Sequence, residues 1–262
     1  MTKTIALAGK GGTGKTTVAA LLIRALLRRG LVPILAVDAD PSTNLHLAIG
    51  LPAPATVGDM REDMLSDSLR PQLGVSLARR DHIQREIRMA LEEGDQVDLI
   101  AMGRPEGQGC YCAVNHLLRE EMDELGRNYA VVLMDNEAGM EHISRRTTRD
   151  VDLLLVVTDP TVRGLRAAET IAQMARHVDV HVGRVMLVVN RVIGEIPAPL
   201  EAGIARVGLP LAGVIPADSH VAELDALGTP LVRLNGDSPA SHAVDALAEV
   251  VLQQLSVTDA VE

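Results

Sequence analysis

Gly9-Lys10-Gly11-Gly12-Thr13-Gly14-Lys15-Thr16-Thr17 is the stretch whose residue types and spacing most directly imply chemistry. It follows the apolar run Thr4 to Ala8 and leads at once into the helical pattern Thr16 to Arg29. The motif G-x-x-x-x-G-K-[ST] therefore stands between a strand and a helix, the context in which it holds phosphate. Glycines let backbone N–H groups wrap phosphate oxygens, and the helix N-terminus adds its dipole. Lys15 is expected to reach the β- and γ-phosphates, and the Thr16 hydroxyl to ligate Mg2+. Gly9, Gly11, Gly12, Thr13, Gly14 and Thr17 complete the expected cradle. The alternative, a chance glycine-rich turn, does not explain its place directly after the first strand.

Cys110 and Cys112 are the chain's two cysteines, one residue apart and ahead of the helical pattern Ala113 to Leu125. A disulfide across so short a loop is strained, which leaves thiol or thiolate chemistry. Soft thiolates at a helix N-terminus suit Ni2+, Zn2+, Cu+ or an iron–sulfur cluster. Two sulfurs do not close a tetrahedral site, and a symmetric dimer would supply the other two. Two small buried residues are the plainer alternative. His116, one helical turn beyond Cys112, is placed either to face a metal or to stand exposed on the helix. His46, His82, His177, His181, His220 and His242 show no ligand spacing, and no histidine, His142 included, is assigned a role.

The elements that would position these groups alternate. Thr4 to Ala8, Val32 to Val37, Val97 to Ala101, Ala130 to Met134, Leu153 to Val157, Val185 to Val189 and Leu211 to Ile215 read as strands. Several are apolar without alternation, as in parallel strands buried on both faces. Thr16 to Arg29, Ala113 to Leu125, Gly164 to His177 and Ala240 to Leu255 read as helices. This order predicts one doubly wound α/β domain over residues 1–262, with a mostly parallel sheet, a helical insertion around 51–94 and a short flexible tail, Thr258 to Glu262.

The formal charge of -10 argues against a nucleic-acid backbone as partner, and the chain contains no Trp, no Phe and only two Tyr to stack bases. No apolar run approaches the ~20 residues of a membrane helix, and the N-terminus lacks a signal-peptide pattern, so a cytoplasmic protein is expected.

With Lys10 added to the phosphate loop, the sequence resembles the deviant Walker A (SIMIBI, MinD-like) P-loop NTPases, the group of MinD, ParA and the nitrogenase iron protein. In those families the early lysine crosses a dimer interface to the partner's nucleotide; a solvated loop lysine is the alternative. The resemblance extends to Asp38-Ala39-Asp40-Pro41, where the second Asp positions the attacking water and Asp38 holds the Mg2+ shell through water. It implies that Asp135, at the end of its strand, is the Mg2+-side carboxylate, followed by a switch at 136–141. It implies that Asn190, with Arg191, reads adenine, and that Pro216 walls the base. Lys10, Lys15 and Asp40 are thus the expected catalytic residues.

Cys110-Tyr111-Cys112, with the segment Asp135 to His142, narrows the resemblance to the CooC-type nickel-insertion ATPases, over nearly the whole chain. That family implies an ATP-closed homodimer holding Ni2+ (or Zn2+) between its subunits. Its client would be a carbon monoxide dehydrogenase or acetyl-CoA synthase apoenzyme. The competing reading is a nucleotide-switched dimer of the MinD or ParA kind, a positioning or protein-binding module without a metal role. Ser241 to Leu255 contains no Lys or Arg, unlike a membrane-gripping basic helix. A shared iron–sulfur cluster fits less well, because the cysteines are not drawn from two separated loops.

Overall fold

A computed structural model of the chain describes residues 2–58, 84–103, 120–137, 150–176 and 181–258. Seven strands form one sheet: β1 (Lys3–Ala8), β2 (Ile34–Ala39), β3 (Val97–Ala101), β4 (Val131–Asn136), β5 (Asp150–Thr158), β6 (His181–Val192) and β7 (Leu211–Pro216). Their order is β3-β2-β4-β1-β5-β6-β7, and every pairing is parallel. The chain moves outward to one side of β1 and then crosses it to build the other. β1 therefore lies at the reversal of strand order, where α/β sheets open a crevice for ligands.

The unbroken apolar runs of the strands are explained by cores on both faces. Ile5, Leu7, Leu133, Leu153 and Leu155 pack on one side, against α1 (Lys15–Leu27) and the C-terminal helix α6 (Pro239–Thr258). Ala6, Ala8, Met134, Leu154 and Val156 face the other, where α3 (Val162–Ala175) covers them. Alternate residues of one strand thus enter different cores, so neither set can be polar. α1 is buried along most of its length, Val18 to Ile23 being at most 1% exposed.

α1 and α6 are also tied at their polar edges. Arg29 donates to Asp245 and to Glu249 (2.8 Å), and Arg24 donates to the Ser241 hydroxyl at 2.8 Å. The described elements also include the shorter helices α2 (Leu45–Ile49), α4 (Ala198–Val207) and α5 (Ser219–Ala226) and a 3-10 turn, Leu231–Arg233. The insertion expected around 51–94 falls mostly outside the described residues; 84–90 within it are helical. The helix expected at Ala113 to Leu125 is described only from 120 on, and the tail from 259 lies outside the described residues.

Burial at the centre of α1 makes a direct prediction. Leu22→Ala should cost about 3 kcal/mol in urea unfolding, within the ~2–5 kcal/mol of large-to-small core changes. Leu227→Ala, at a residue 71% exposed, should cost less than about 0.5 kcal/mol. Equal costs would contradict the placement of α1 in the core.

Candidate nucleotide site

The loop leaving β1 is shaped by what its glycines permit. A Cβ on Gly9 would stand 2.2 Å from the Val157 carbonyl oxygen, so the chain turns here only without a side chain. Gly14, at φ 85°, adopts a left-handed conformation and passes so close to Asn190 that a Cβ would lie 2.5 Å from its Nδ2. The Lys10 carbonyl closes the loop from within. It accepts from the Thr13 hydroxyl at 2.9 Å, from the Thr13 N–H at 3.4 Å and from the Lys15 ammonium at 3.4 Å.

The two lysines of the motif are placed oppositely. Lys15 is 7% exposed and turns back into the loop. Lys10 is exposed at the loop's tip, and its ammonium forms no ion pair among the described residues. Gly11 and Gly12 beside it are also exposed.

Two carboxylates converge on the start of α1. Asp38 and Asp135 are register partners at the ends of β2 and β4, and each is 1% exposed. Thr16 donates its hydroxyl to Asp135 Oδ2 at 2.6 Å, which joins the first turn of α1 to β4. The other oxygen, Asp135 Oδ1, is buried and accepts no hydrogen bond among the described residues. Burial pushes the Asp135 carboxyl up to about 7, against the opposing bond from Thr16. Burial likewise raises Asp38 to about 6. Asp38 Oδ1 accepts the Asp40 N–H at 3.1 Å and Oδ2 the Leu45 N–H at 2.9 Å, so Asp38 fixes the loop after β2 and anchors α2. Asp40 is half-buried on that loop and accepts the Ser42 N–H at 2.9 Å.

Mg2+ prefers oxygen ligands and takes one or two carboxylates together with substrate phosphates. A buried Asp135 oxygen without a partner, beside the Thr16 hydroxyl, fits that ion. An otherwise orphaned buried charge calls for such compensation.

The residues expected at the base end approach the same edge of the sheet. Asn190 is 4% exposed and donates Nδ2 to the Thr13 carbonyl at 2.9 Å, while Arg191 donates to the Gly12 carbonyl at 3.0 Å. Pro216 ends β7 in register with Val192, two residues past Asn190. Asp218, just beyond, caps α5 through the His220 N–H and also accepts the Ala240 N–H at the start of α6.

Sequence reasoning placed Asn136 at the start of the switch after Asp135, without assigning it a bonding partner. Its Nδ2 donates to the Leu7 carbonyl at 2.9 Å, and its Oδ1 is buried without a partner among the described residues. An amide ending an aliphatic strand was the available signal. The switch residues after Glu137, and the cysteines, lie outside the described residues.

Fold and site together define a P-loop nucleotide-binding α/β protein. A family model described as "CobQ/CobB/MinD/ParA nucleotide binding domain" matches residues 4–231, and the chain belongs to that family. An uncharacterized ATP-binding protein of Methanocaldococcus jannaschii is 39% identical over 95% of this chain and 98% of its own. The carbon monoxide dehydrogenase accessory protein CooC of Rhodospirillum rubrum is 33% identical over 98% and 99%. Among solved structures, the cell division ATPase MinD of Pyrococcus furiosus aligns with a TM-score of 0.65 at 25% identity, over 97% and 99% of the two chains. Family and fold support ATP binding and P-loop ATPase activity, and no helix among the described residues is long and apolar enough to cross a membrane.

The nickel reading is corrected. Ni2+ or Zn2+ was expected at Cys110 and Cys112, shared between subunits, with a carbon monoxide dehydrogenase or acetyl-CoA synthase apoenzyme as client. Among the described residues no group of three or more His, Cys, Asp or Glu could hold a metal ion. Both cysteines lie outside those residues, and two sulfurs leave a tetrahedral shell half filled with nothing described to complete it. The Pyrococcus structure that aligns is described as a cell division ATPase, MinD.

The raised carboxyls predict a pH dependence. An Asp titrating at about 6 or 7 when folded, against its ordinary value of 3.8, binds more protons folded than unfolded across that interval. Nucleotide-free stability should therefore fall as pH rises from about 4 to 7. Asp135→Asn should flatten that slope and raise the unfolding midpoint at pH 8 relative to the parent. A variant with the parent's slope would contradict the assignment; thermal unfolding across pH reads it.

Proposed function

We propose that the chain is a Mg2+-dependent ATPase whose nucleotide state switches a homodimer, and that the dimer acts as a protein-binding module. The observation that carries this reading is the opposed placement of the two loop lysines. Lys15 is turned inward to hold the phosphates of its own nucleotide. Lys10 stands outward and exposed, without an ion pair among the described residues, where it can serve a nucleotide bound to a second copy. Nucleotide-bridged homodimers are typical of this family.

In this account the N–H groups of residues 11–16 and the Lys15 ammonium hold the phosphates of ATP. The Thr16 hydroxyl and Asp135 would hold Mg2+, which would supply positive charge to neutralise the phosphates. Asp40 orients the attacking water and accepts its proton. Lys10 of each subunit stabilises the transition state in the other, as an arginine finger does. Asn190 and Pro216 flank the adenine. Because Asp38 ties Asp40 to α2, loss of the γ-phosphate would be felt along the Asp40–Leu45 loop, which gives the dimer two states.

A protein partner is favoured over a membrane because α6 contains no Lys or Arg. The name of the Rhodospirillum relative, an accessory protein, also points to action on another protein.

Lys15→Ala and Lys10→Ala separate the two roles. Lys15→Ala should weaken ATP binding by about 100-fold or more, as loss of charge-assisted bonds to phosphate does. Lys10→Ala should bind ATP within about threefold of the parent, yet lose about 10³ in kcat, the lower range for a finger supplied in trans. Calorimetric titration and phosphate release measure both. A Lys10→Ala variant with the parent's kcat would overturn the trans role.

A further inference from the structure

Consecutive residues of a strand point to opposite faces, yet Asn190 and Arg191 both reach the phosphate loop. The cause lies in the pairing of β6 with β7. Val189 is in register with Val214 and Val192 with Pro216, so three steps on β6 oppose two on β7. This one-residue shift follows an opposite one between Leu187 and Val188, and such a bulge or irregularity bends a strand and re-aims its side chains. Arg191 takes up the bend at φ 59°, one of two non-glycine residues with positive φ among the described residues. A long side chain in that conformation is uncommon, and such outliers cluster where geometry serves function.

What the two side chains grip is equally specific. Arg191 Nη1 donates to the Gly12 carbonyl at 3.0 Å and Asn190 Nδ2 to the Thr13 carbonyl at 2.9 Å. These are successive carbonyls of the loop. In a trans peptide the C=O and the following N–H point opposite ways. Fixing the Thr13 carbonyl toward β6 therefore aims the Gly14 N–H away from it, while the Thr13 N–H, opposite the Gly12 carbonyl, turns to the Lys10 carbonyl at 3.4 Å. Gly14 makes the approach possible, since a Cβ there would meet the Asn190 amide and lie 3.5 Å from the Arg191 guanidine.

We propose that Arg191, with Asn190, is a positioning residue for the phosphate loop: the bulge in β6 turns two consecutive side chains onto the loop's outward carbonyls, and this presets the loop whose N–H groups bind phosphate. The role assigned to Arg191 is thus independent of the base, although it rests on the nucleotide reading above. Asn190 has a second amide hydrogen and an oxygen, so its grip on Thr13 leaves it able to face adenine as well.

The test compares ATP with inorganic tripolyphosphate, which has the phosphates and no base. Arg191→Gly removes the guanidinium while glycine keeps the left-handed backbone at no steric cost. It should weaken ATP and tripolyphosphate by the same factor, about tenfold, the loss of one hydrogen bond that orders a charged site. The thermal midpoint without ligand should be unchanged. Arg191→Asn, whose side chain also tolerates positive φ, carries the same test should the glycine variant fold poorly. Weakened ATP binding with unchanged tripolyphosphate binding would make Arg191 a base contact and overturn the proposal. So would unchanged affinity for both. A parent chain that binds neither ligand would overturn the nucleotide reading itself, and the inference with it.

Discussion

The arrangement on which the rest of this structure depends is a pair of carboxylates held side by side away from water. Asp38 and Asp135 end adjacent parallel strands in register, 1% exposed each, in a sheet whose central strands are mostly aliphatic. Desolvation opposes a charge at either position, with repulsion from Asp40 added at Asp38 and from Asp38 added at Asp135, which is why both carboxyls titrate high. The surrounding bonds answer that cost in different ways. Asp38 is compensated by backbone N–H groups of its own loop, and so dictates where α2 begins. Asp135 is compensated at one oxygen by Thr16, and its other oxygen has no partner among the described residues. A site with one open, buried, oxygen-only position beside a phosphate loop suits a hard divalent cation arriving with its substrate.

The phosphate loop is held between these carboxylates and β6. Its glycines are explained by close approach: Gly9 by the Val157 carbonyl of β5, Gly14 by the Asn190 amide of β6. Three neighbouring strands thus press on the loop from different sides, and only the central place of β1 in the sheet allows that. Sheet order and loop chemistry are one constraint seen at two scales.

Much of this was legible in the sequence because its physics is local. All seven strands could be read as apolar runs, and Val97–Ala101 has the bounds expected. The loop motif and the terminal aspartates stand out because glycine, lysine and aspartate interrupt such runs. The helices that escaped reading lacked a local signal. α5 buries no residue and α4 buries only Val207, so neither shows a deep apolar stripe. α2 is five residues long, and the bond that stabilises its start comes from Asp38, seven residues upstream. Within the site, the contacts between Thr16 and Asp135 and between Asn190 and Thr13 join residues 119 and 177 apart, and no spacing rule reports them. The β6 bulge, which decides where Arg191 points, is a property of strand pairing. The cysteine pair, conversely, gave a strong local signal and led to a metal site that the described residues do not complete.

The central claim is that ATP, and not ADP, joins two copies of this chain. Light scattering on the purified protein with Mg2+ and a slowly hydrolysed ATP analogue, with Mg2+ and ADP, and without nucleotide tests it most directly. The account predicts a doubled mass with the ATP analogue alone and the monomer mass in the other two conditions. One mass in all three, whether monomer or dimer, would contradict it.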